Sequence, residues 1–147
     1  MTDIASASPV AAKTPWHLWV VGVLSLLWNA SGAWVLVQAQ TGAKMDMDAA
    51  EIAYYAEQPL WMVALTDLAL ATAILGALAL LLRSRWAPPL YLLSIAATLA
   101  SAVGDIARST ALLLQQRDWL ALACVTIGLA FAQWAYAEWS RRRGVLS

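Results

Sequence analysis

Cysteine, histidine and phenylalanine each occur once in the 147 residues, and Asp, Glu, Lys and Arg together make up only 12%. A single cysteine, Cys124, excludes an intrachain disulfide and a cysteine metal cluster. In an apolar helix it reads as a small packing residue. A single histidine, His17, gives haem or a metal ion no ordinary ligand set, so no metal and no cofactor is expected. Nine basic residues balance nine acidic ones, which leaves no electrostatic footprint for nucleic acid. No glycine-rich phosphate loop, no nucleophile beside a base and no CxxC motif is present, and no enzyme is expected.

Apolar residues are what the chain has in excess: 62%, where ordinary globular chains run at roughly 45–50%. They fall in four runs, about 16–38, 60–82, 89–113 and 119–140. Each is about 20 or more residues long, the length a ~30 Å hydrocarbon core demands of a helix. The pattern predicts an all-α integral membrane four-helix bundle forming one domain over 15–140. It also predicts a flexible tail over 1–14, an outer loop over 39–59 and a basic tail over 141–147. The apolar run after the first tail is longer than a signal-peptide core, so it reads as a span.

Local signals mark the boundaries. Pro15, Pro59 and Pro88-Pro89 open three of the spans, where the first turn has no partner for the missing N–H. Asp118 stands where an N-cap of the fourth belongs. Asp48 with Glu51 predicts a capped short helix from Ala49 to Glu57 in the outer loop, with a plain turn as the alternative. Lys13, Arg83, Arg85 and Arg141 to Arg143 share one side of a four-span chain. The excess of basic residues places that side, with both termini, in the cytoplasm. Trp16, Trp19, Trp86 and Trp139 then lie at the inner interface and Trp61 and Trp119 at the outer one, the depth amphipathic rings prefer.

Every span carries a small or polar stripe at helical spacing. The first has Gly22, Ser25, Asn29 and Gly32; the second Thr66, Ala69, Ala73 and Gly76 or Ala77; the fourth Ala123, Thr126, Ala130, Gln133 and Ala137. The third is the most polar: Ser94, Thr98, Ser101, Asp105 and Arg108 recur at spacings of four, three, four and three. Hydrocarbon does not drive helices together, so small and polar faces carry their association. Asn29, Asp67, Ser101, Asp105, Arg108 and Thr126 are the candidate interior polar site. An aspartate at a span centre costs ~2.5–3.5 kcal/mol on insertion scales, so Asp67 and Asp105 call for a partner or water. Arg108, three residues beyond Asp105, is the expected ion-pair partner. Asp67 lies about 100° from the small stripe of its own helix and has a second possibility, a neighbouring protein or the membrane surface.

The segment from Pro15 to Leu24, Leu26-Leu27-Trp28-Asn29, and Leu82-Arg83-Ser84-Arg85-Trp86-Ala87 resemble a group of small four-span bacterial inner-membrane proteins. These proteins are often labelled sugar transporters and have no assigned mechanism. The resemblance covers most of 15–140 and implies a bacterial inner-membrane location and solute transport. Two roles follow from the residues. One is a non-catalytic accessory subunit packed against a larger membrane complex, with lipid and other membrane protein chains as partners. The other is a small-solute binding or transport protein, sugars included, that works as an oligomer.

Overall fold

Pro15 and Pro59 hold extended backbone, with φ/ψ of −70°/139° and −63°/145°, immediately before the first two helices begin. The structure, a computed structural model, describes residues 15–42, 56–113 and 117–146. It places four helices in order: α1, Trp16–Thr41; α2, Leu60–Leu81; α3, Ala87–Leu113; and α4, Arg117–Arg142. Each contains a stretch long and apolar enough to cross a membrane, and no strand occurs among the described residues. The fold is an all-α four-helix bundle of a multi-pass membrane protein.

The N-terminal tail and most of the expected helix over Ala49–Glu57 lie outside the described residues. α1 runs past the expected Gln38 and stops where Gly42 adopts a left-handed φ of 69°, its N–H directed at the Gln38 and Ala39 carbonyls. α4 starts at Arg117, which puts Asp118 inside the first turn and not at the cap. The basic C-terminal tail is also shorter than expected. α4 continues to Arg142, Gly144 turns the chain at φ 69°, and Val145 and Leu146 fold back to become buried.

α2 is the central element, packed along α1 on one side and α3 on the other, and α4 packs along α3. Its inward face is Ala69, Thr72, Ala73, Gly76 and Ala77, all buried. Small residues let the backbones approach. A Cβ placed on Gly76 would lie 3.1–3.2 Å from the Tyr91 ring of α3, so that ring occupies the space a side chain would need. The best-packed region is one end of the bundle, where Leu18, Leu80, Ala87, Tyr91, Val145 and Leu146 form a single apolar cluster. Arg83, Arg85 and Arg141 to Arg143 belong to this basic end. Arg83 takes a left-handed φ of 59°, and its Nε donates to the Val145 carbonyl at 3.2 Å, tying the turn after α2 to the folded-back C-terminus.

Candidate functional site

The ring of helices closes least tightly between α1 and α4. Long side chains bridge that seam. Asn29 Nδ2 donates to Gln133 Oε1 at 3.3 Å midway along it, and His17 Nδ1 shares a 2.5 Å hydrogen bond with the Tyr136 hydroxyl near the basic end. The His17 and Trp139 ring centroids lie 5.8 Å apart, and the Arg143 guanidinium carbon sits over the Trp139 ring, 4.2 Å from its centroid. Arg141 and Arg142 both bind Glu138 at 2.8 Å.

Inside the ring is a cavity of about 300 Å³, at the lower end of the range for small-molecule sites. α1 contributes Trp28, Asn29 and Leu36. α2 contributes Thr66, Ala69, Leu70 and Ala73. From α3 come Ser94, Thr98, Ser101, Ala102 and Asp105, and from α4 Ala123, Thr126, Ala130 and Gln133. Along α3 the lining extends from Ser94 to Asp105, roughly 16 Å at ~1.5 Å per residue. Gln58, just before α2, lines it at the end opposite the basic one. At the basic end the apolar cluster of Leu18, Leu80 and Tyr91 fills the middle of the bundle. The cavity therefore reaches from the Gln58 end to mid-bundle.

Much of its polar surface is already engaged. Ser94 Oγ donates to the Ala69 carbonyl at 2.8 Å, which joins α3 to α2 across the interior. The Thr66 and Ser101 hydroxyls share a 3.0 Å hydrogen bond one level higher. Thr98 donates to its own helix at the Ser94 carbonyl. Asn29 Nδ2 donates to the Ser25 carbonyl at 2.8 Å as well as to Gln133. With that amide so placed, Asn29 Oδ1 and Gln133 Nε2 make no hydrogen bond to described residues, nor does the Thr126 hydroxyl. The residues that line the cavity thus include an acceptor, a donor and a hydroxyl without a hydrogen bond to described residues, with Asp105 nearer the Gln58 end. No lysine, arginine or histidine is among the lining residues.

Four of the six candidate site residues, Asn29, Ser101, Asp105 and Thr126, come together around this space. The other two do not. Arg108 is exposed and directs its guanidinium to α2 and the residues before it. Nη2 donates to the Glu57 carbonyl at 2.6 Å, and Nη1 lies 3.8 Å from the Met62 sulfur. Spacing had offered Asp105 to this guanidinium, and its two terminal nitrogens are directed to a carbonyl and a thioether. Asp67 is exposed on the outward face of α2, where Gln40 Nε2 donates to its carboxylate at 2.9 Å. Its 100° offset from the small stripe is the sequence signal for that placement. Ser94, Thr98 and Gln133 line the cavity although the candidate set omitted them. All three stood in the stripes, and Trp28 carried no polar-stripe signal at all.

The chain matches no protein family, no curated protein and no solved structure. A functional reading therefore rests on the cavity itself and on what its walls can bond.

Proposed function

We propose that this protein binds a small, uncharged, polyhydroxylated solute in the cavity, as a step of uptake or sensing in the membrane. The observation that supports this most is the set of uncommitted groups on its wall: Asn29 Oδ1, Gln133 Nε2 and the Thr126 hydroxyl. Buried polar groups recognise a solute because a ligand that lacks the matching hydroxyl leaves them unpaired. A mixture of donor and acceptor without a cation suits hydroxyls better than phosphate or carboxylate. The resemblance to small bacterial proteins labelled sugar transporters points the same way. On this reading the protein sits in a bacterial inner membrane with its basic end in the cytoplasm. The Gln58 end of the cavity then lies toward the outer side. Four helices leave little room for a pathway through one copy, so passage across the membrane would need an oligomer.

The test is thermal stabilisation of the purified protein in lipid nanodiscs by a panel of polyols and monosaccharides. At least one member should raise the melting temperature of wild type and of Arg108→Gln, but not of Gln133→Leu or Thr126→Val. Stabilisation by none, or stabilisation equal in all four proteins, would rule the reading out.

A second reading has an observation of its own. Asp67 on the outward face of α2 and Gln40 of α1 form an exposed hydrogen-bonded polar pair. Polar groups on a lipid-facing surface are costly, and a neighbouring membrane chain that bonds to them would offset that cost. The protein would then be a non-catalytic accessory subunit of a larger complex. Asp67→Leu should leave a single copy folded and release the complex. A complex that survives the substitution counts against this role.

A further inference from the structure

A second hollow runs along the outside of the α1–α4 seam, with a volume of about 490 Å³. Val21 and Leu24 of α1 face Leu129 and Ala132 of α4 across it, and Trp28 and Gln133 belong to both this groove and the cavity. Trp28 and Gln133, the latter held by Asn29, thus stand where the two spaces adjoin. The outer groove is the more apolar of the two, with Val21, Leu24, Leu129 and Ala132 beside Ser25 and Tyr136, and the inner one carries more of the hydroxyls and the Asn29 carboxamide.

Resting on the binding reading above, we propose that the solute is the head group of an amphiphile. The uncharged polyhydroxy head lies in the cavity, and an acyl chain lies in the groove between α1 and α4. Three observations carry this. The groove is continuous with the polar site through shared walls. The seam is closed by side-chain bridges, so that rotation of Asn29 and Gln133 opens it without separating packed backbones. The basic end, in contrast, is filled by Leu80, Tyr91, Val145 and Leu146 and gives no route past them. A ligand with one polar and one apolar end matches this pair of spaces. Free sugar would leave the groove to bulk lipid. The head group reaches its site sideways from the bilayer, through the seam.

The experiment uses the full-length protein in phosphatidylcholine vesicles containing a minor fraction of glucosyl-diacylglycerol with a diazirine in one acyl chain. A phosphatidylcholine with the same diazirine serves as the comparison for lipid that merely surrounds the protein. After irradiation, labelled residues are mapped by mass spectrometry. The glycolipid should label Leu24, Leu129 and Ala132 several-fold more than Leu68 and Leu75, which are exposed on α2. Unlabelled glycolipid should compete that excess away, and Ala132→Trp, which fills the groove, should abolish it. The phosphatidylcholine probe should label both faces alike. A companion measurement separates the two claims. In a Cys124→Ala background, Ser101→Cys should react with a water-soluble thiosulfonate that enters the cavity. Even labelling by both probes with a reactive Ser101→Cys overturns the amphiphile and leaves the cavity reading standing. Even labelling with an unreactive thiol in folded protein overturns both. Excess label that survives Ala132→Trp also overturns the proposal, since the chain would then lie elsewhere.

Discussion

Arg108 holds the Glu57 carbonyl at 2.6 Å, two residues before Pro59 opens α2. A guanidinium in the C-terminal part of α3 thus ties down the chain that leads into its neighbour. Hydrogen bonds to charged groups are worth about 1.5–3 kcal/mol, and exposure places this one at the lower end. Arg108→Ala should speed amide exchange over 56–60 several-fold and leave exchange in the centre of α3 unchanged. Equal protection of 56–60 in both proteins would show that the contact does not restrain the segment.

Close approach of α2 and α3 gives a sharper pair of substitutions. Gly76→Ala puts a methyl 3.1–3.2 Å from the Tyr91 ring, which is almost wholly buried and has nowhere to go. Overpacking of this kind costs about 1–3 kcal/mol. Gly128 is also helical but meets nothing within 4 Å, so Gly128→Ala should be neutral or gain up to ~1 kcal/mol from helix propensity. Denaturation in mixed micelles measures both, and a Gly76→Ala protein as stable as wild type would contradict the packing described.

The carboxamide pair on the seam lends itself to a double-mutant cycle. Interhelical hydrogen bonds in membranes average about 0.6 kcal/mol and reach ~1.7. Asn29→Leu and Gln133→Leu should couple by an amount in that range. The same cycle on Asn29 with Thr126, each lining the cavity but unbonded to the other, should give nothing measurable.

Leu146 and Val145 supply a test at the opposite end. Leu146→Ala removes buried side chain from a cluster that includes Leu80 and Tyr91 and should cost about 2 kcal/mol or more. Leu82→Ala, an exposed position two residues from Leu80, should cost far less. Equal losses would mean the C-terminal segment does not pack as described.

Much of this architecture was readable before any coordinates. Gly22, Ser25 and Asn29, or Ser94 and Ser101, stand out because a lipid-facing helix tolerates only apolar residues, so a small or polar stripe marks the inward face. Asn29, Ser101, Asp105 and Thr126 converge for that reason. Other features had no such signal. Spacing along one helix proposes Asp105 as the partner of Arg108, because residues three apart are neighbours. It cannot show a backbone carbonyl brought close by a different segment, and the Glu57 carbonyl is where that guanidinium goes. Val145 and Leu146 are only two apolar residues after a run of arginines, too few to register as a packing element. Their burial depends on the turn at Gly144 and on Arg83 reaching across from the end of α2.

The α1–α4 seam also has a meaning for biosynthesis. It joins the earliest of these four helices in the chain to the latest, whereas α2 meets both of its neighbours in sequence order. Domains form progressively from the N-terminus as the chain is made. Asn29 must therefore wait inside the translocating membrane, its amide satisfied only by Ser25 of its own helix, until Gln133 arrives. The pocket comes into existence only once α4 has been made, so a product that lacks α4 would have three of its walls and no site.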